Sequence, residues 1–96
     1  MTTYQLLMLY ALSDSCLTKS LALLSHTDFL EDHVIQVLAI YTSALIQTKK
    51  HVSKMLRTVE NKKSIAPEDL LILQKDLTDC NDLEEELCCY LSISVH

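Results

Sequence analysis

Between Val34 and Val59 the positions Val34, Leu38, Tyr41, Leu45, Thr48, Val52, Met55 and Val59 step alternately by four and three. That heptad seam predicts one long amphipathic helix with a single buried stripe. Upstream, Leu6, Leu7, Tyr10, Leu17, Leu21 and Leu24 recur at helical intervals and predict a first helix with one broad buried face. Ser13, Asp14 and Ser15 interrupt it and read as a stretch that faces water. Downstream, Leu70, Leu73, Leu77, Cys80, Leu87 and Leu91 repeat the heptad steps, with Glu84 as a polar interruption of that seam.

Local signals place the ends. Thr2 and Gln5 have capping-box spacing, in which a hydroxyl and a side-chain amide satisfy reciprocal backbone donors. The run Ser25, His26, Thr27 and Asp28 is a cluster of N-cap residues, and Asp28 with Glu31 predicts that the second helix starts at Asp28. Pro67 suits a first helical position, with Ala66 as N-cap, Glu68 and Asp69 in the first turn, and Ile65 and Leu70 spaced as a hydrophobic staple. The fold class read from these signals is all-α: an elongated antiparallel three-helix bundle, residues 1–96 forming one domain with helices over about 3–25, 28–59 and 67–93. Short connections force sequential helices to run antiparallel.

Composition sharpens this. The chain has 96 residues, 49% hydrophobic, no Gly and one Pro. Without Gly, a Walker loop, a dinucleotide fingerprint, a nucleophile elbow and an EF-hand are all excluded, because each needs backbone that turns sharply or approaches a ligand closely. Cys16, Cys80, Cys88 and Cys89 are spaced for neither a disulfide framework nor a zinc site. They read as reduced thiols of a cytoplasmic protein, with Cys80 and Cys88 packed as small hydrophobes. Asp14 and Lys19 interrupt the most apolar region, so no membrane span is expected.

Charge is segmented. Net charge is −5, yet residues 49–63 carry Lys49, Lys50, Lys54, Arg57, Lys62 and Lys63 against Glu60, whereas residues 64–96 carry eight acids against Lys75. In an antiparallel bundle these stretches lie side by side, and pairing across helices two and three is the first reading of the basic run. Of His26, His33, His51 and His96, none shows an identifiable orienting partner in the sequence, and no oxyanion donor accompanies Cys88 or Cys89. The chain is therefore read as no enzyme, with no catalytic residues, no cofactor and no metal site.

In the second helix, Tyr41 is followed three residues later by Ala44 and then by Leu45. The run resembles the aromatic-plus-alanine helix of microtubule-interacting-and-transport (MIT) modules. Together with QLLMLYALSDSCLTKSLALL it also resembles the MIT-like C-terminal domains of autophagy-initiating kinases of the Atg1 class. The likeness covers roughly residues 4–58 and leaves the third helix out. It implies a scaffold that receives an amphipathic helix in membrane traffic or autophagy.

The functional expectation is a non-catalytic adaptor that docks an acidic amphipathic helix of a protein partner in an inter-helix groove. The apolar side chains of Tyr41, Leu45, Met8 and Leu12 anchor it, and Lys49, Lys50, Lys54 and Arg57 orient it against partner acids. A homodimeric helical scaffold is the alternative, because heptad seams can also pair between copies. Nucleic-acid or anionic-membrane binding through residues 49–63 is the third reading, disfavoured for nucleic acid by a pI of about 5.2 and by the adjacent acidic helix.

Overall fold

The computed structural model describes residues 2–95, with side chains through Leu91. His96 lies outside the described residues. Three helices, α1 (Thr3–Leu24), α2 (Asp32–Glu60) and α3 (Pro67–Val95), form an all-α bundle of 48 × 21 × 20 Å. Its length is that of α2 itself, since 29 residues at ~1.5 Å each span about 44 Å.

α1 begins as its capping box directs. The Thr2 N–H donates to Gln5 Oε1 at 2.8 Å, and the Gln5 N–H donates to Thr2 Oγ1 at 3.2 Å. The α1–α2 connection departs from expectation. Asp28 does not open α2: Thr27–Phe29 form a single 3₁₀ turn, Leu30 is extended, and Glu31 is the N-cap. Leu30 packs against the core, so the chain turns inward before the helix starts. Glu31 gives no capping side chain, because its carboxylate lies 3.3 Å from His33 Nδ1.

α2 ends without glycine in a Schellman arrangement. The Lys63 N–H donates to the Thr58 carbonyl at 3.0 Å and the Lys62 N–H to the Val59 carbonyl at 2.9 Å. Closing that pair of bonds sets Lys62 at φ 58°, the left-handed region that disfavours a residue with a Cβ. α3 then starts as expected. The Ala66 carbonyl accepts from Asp69 and Leu70, and Ile65 and Leu70 pack against the same core cluster.

The heptad seam of α2 is the floor of the whole molecule. Val34, Leu38, Tyr41, Leu45, Thr48, Val52 and Met55 are all buried. Two apolar clusters form along it. One gathers Val34, Leu38, Tyr41 and Leu45 with Cys80 and Leu87, and the other joins Leu6 to Val52, Met55 and Leu73. Between them Thr48 is fully buried, its hydroxyl 2.9 Å from the Ala44 carbonyl and 3.4 Å from Cys80 Sγ.

α1 turns most of the expected stripe inward, with Leu6, Tyr10, Leu17 and Leu24 on the core. Its most deeply buried residues are Leu6, Ser13 and Ser20, spaced by seven, while Leu7 and Leu21 are exposed. Ser13 therefore lies inside rather than facing water. Short side chains at these positions let α1 sit close to α2, and the Ser20 hydroxyl is bonded to that of Thr42 on α2. By length and composition α1 could also cross a membrane despite Asp14 and Lys19. Here its Leu6, Ser13 and Ser20 face is spent on α2.

Candidate docking grooves

α1 and α3 each lie along α2 but scarcely touch one another. Both apolar clusters take side chains from all three helices, but the backbones of α1 and α3 approach each other far less closely than either approaches α2. A channel runs between α1 and α3 with α2 beneath it.

The wider part encloses about 670 Å³ and is lined by Cys16 and Leu23 of α1, Leu38 and Tyr41 of α2, and Leu87, Cys88 and Leu91 of α3. A narrower part of about 160 Å³ shares Cys16, Tyr41 and Glu84 with it and continues past Leu9, Leu12, Leu45 and Leu77. The surface is chiefly apolar, with Lys19 on the α1 wall and Glu84 on the α3 wall. Glu84 is the residue that breaks the α3 seam, and a carboxylate there favours an open, wet edge over closure onto α1. Burial, aided by the Cys16 thiol and the Glu84 carboxylate, raises the Tyr41 phenol well above its ordinary range, so this floor residue stays neutral.

A second groove, of about 440 Å³, lies between α1 and α2, lined by Tyr10, Leu17, Ile46, Lys49, Lys50, Ser53, Lys54 and Arg57. Lys49 Nζ is 2.7 Å from Asp14 Oδ1 and 5.0 Å from the centre of the Tyr10 ring. Asp14 raises the ammonium pKa, chiefly through that hydrogen bond. Lys54 Nζ lies 3.7 Å from Asp69 Oδ1 of α3.

The residues expected to act together are thus divided. Tyr41, Leu45 and Leu12 line the α1–α3 channel, whereas Lys49, Lys50, Lys54 and Arg57 line the α1–α2 groove. Met8 is exposed on α1 and lines neither. Leu23, Leu87, Leu91 and Cys88 belong to the channel but were not singled out from the sequence as docking residues.

Two further expectations are corrected. Cys88 is not core packing: it is exposed, and it lines the channel. His51 does have an orienting partner, since its Nδ1 is bonded to the Asp76 carboxylate across α2 and α3, and His33 has Glu31 and an edge-on Tyr90 ring 4.9 Å away. The hollow at His51 holds only about 10 Å³, too little for a substrate. Among the described residues no three His, Cys, Asp or Glu side chains gather where they could hold a metal ion, and no disulfide links the four cysteines.

No family model, curated protein or solved structure matched the chain.

Proposed function

We propose that this chain is a non-catalytic interaction module whose α1–α3 channel receives an amphipathic helix from a protein partner. The observation that carries the reading is the separation of α1 from α3 above an apolar channel floored by α2. In a four-helix bundle the first and third helices stand diagonally and the fourth fills the remaining corner. α1, α2 and α3 occupy three such corners, and the apolar channel is the fourth. A helix lying antiparallel to α1 and α3 covers Leu12, Leu23 and Leu87 with its own apolar stripe. From Leu9 to Leu23 the α1 wall runs about 21 Å, which matches a helix of about 14 residues. Lys19 and Glu84 meet an acid on one flank of the incoming helix and a base on the other. The resemblance of Tyr41, Ala44 and Leu45 to MIT modules supports a helix receiver, and on that resemblance the proposed setting is membrane traffic or autophagy.

A second copy of the chain is the other candidate occupant, because Tyr4, Leu7, Met8, Leu12, Leu21 and Leu23 leave α1 broadly apolar on its outer sides. Light scattering separates the two: the channel reading expects a 10.9 kDa monomer that binds a helix. The direct test selects helical peptides from a displayed library and measures iodoacetamide modification of Cys88 with and without the bound peptide. Shielding of Cys88, together with at least about tenfold weaker binding to a Leu12→Glu, Leu23→Glu variant of unchanged helicity, is the expected result. A peptide that leaves Cys88 fully reactive and binds the variant equally overturns the reading.

A further inference from the structure

The fold consumes only part of the positive charge on α2. Asp14 holds Lys49, and Asp69 draws Lys54 toward α3. Among the described residues no carboxylate lies within ion-pair distance of Lys50 or Arg57. These two stand seven residues apart on one stripe of α2, about 10.5 Å along the axis. Between α1 and α2 they border a concavity of about 440 Å³ that also contains Leu17 and Ile46. Lys50 and Arg57 are exposed, Leu17 is half-buried, and Ile46 is 41% exposed.

We propose that the α1–α2 groove is a second docking surface, which takes an acidic amphipathic helix with its carboxylates on Lys50 and Arg57 and its apolar side chains on Leu17 and Ile46. Charge complementarity selects the occupant: residues 49–63 concentrate six cations on a chain that is acidic overall. Shape selects a peptide over a bilayer. A flat lipid surface bridges a concavity and leaves Leu17 uncovered, whereas a helix fills it. Acids two turns apart on the incoming helix reproduce the spacing of Lys50 and Arg57. This surface is independent of the α1–α3 channel, so the module can hold two partner segments at once.

The test uses a fluorescent synthetic helix with a leucine face flanked by glutamates, followed by anisotropy, and a second probe of phosphatidylserine vesicles followed by co-sedimentation. Wild-type chain binds the peptide, and the affinity falls as salt is raised. The Lys50→Gln, Arg57→Gln variant, checked for unchanged helicity, loses about tenfold or more, and Lys50→Arg retains binding. The Leu12→Glu, Leu23→Glu channel variant binds this peptide as well as wild type, which separates failure of this surface from failure of the channel. The proposal is overturned by absence of peptide binding, by equal binding to wild type and the Gln variant, or by vesicle binding that depends on Lys50 and Arg57.

Discussion

The Ser20 hydroxyl donates to the Thr42 hydroxyl across the buried α1–α2 interface. Thr42 Oγ1 gives its single proton to the Leu38 carbonyl at 2.7 Å, so the proton between the two side chains belongs to Ser20. Replacing Thr42 by Val removes the acceptor and leaves a buried O–H unpaired, at a cost of about 1–3 kcal/mol. Adding Ser20→Ala removes the orphaned donor. Chemical denaturation of the two single variants and the double variant should therefore show strong non-additivity, with the double variant recovering much of the loss.

Stability and docking rest on different leucines. Leu38 and Met55 are each 1% exposed, and truncation of either to Ala should cost about 2–5 kcal/mol. Leu12 is 59% exposed on the channel wall, so Leu12→Glu should unfold within about 0.5 kcal/mol of wild type while disabling the channel. Urea titrations of these variants check the contrast.

A gain of stability is available at the end of α2. Lys62 holds a left-handed backbone without being glycine, which costs roughly 1–2 kcal/mol in an L-residue. Lys62→Gly relieves that strain while keeping the two Schellman bonds, and the thermal midpoint should rise with a gain of about 1 kcal/mol. The unchanged helicity of the variant would be read by circular dichroism.

Alkaline pH should loosen the fold. Burial raises the Cys80 thiol and the Tyr41 phenol above their ordinary values. The unfolded chain therefore loses these protons first, and above about pH 8.5 for the thiol and pH 10 for the phenol it binds fewer protons than the native chain. Stability is fully present below those values and declines as pH rises beyond them. Denaturation midpoints measured from pH 7 to 11 should fall, and Tyr41→Phe should flatten the upper part of the decline. The same burial makes Cys80 the slower thiol: mass spectrometry after brief alkylation should find Cys88 modified before Cys80.

How much of this was written in the chain differs by helix. The α2 seam was legible because every step from Val34 to Met55 is a packing position, and packing follows the period of the backbone. α1 was legible as a helix and, through Leu6, Tyr10, Leu17 and Leu24, in most of its buried face, but Leu7 and Leu21 of the same stripe are exposed. Its most deeply buried positions, Leu6, Ser13 and Ser20, repeat by seven, but two of them are hydroxyls that a hydropathy count assigns to water. Glu84 was visible as a break in the α3 seam, though its consequence, a bundle open on one side, depends on how three helices meet. The division between grooves was latent as well. Lys50, Lys54 and Arg57 step by four and three on their own stripe, off the seam that carries Tyr41 and Leu45.

The measurement that bears most directly on the channel is a nuclear magnetic resonance titration of isotopically labelled chain with a selected helical peptide. Perturbed resonances should map together to Leu12, Cys16 and Leu23 on α1 and to Leu77, Leu87 and Cys88 on α3, leaving Lys50 and Arg57 unmoved. Perturbations confined to one wall, or contacts in the free chain that close α1 directly onto α3 along their length, would contradict an open fourth corner.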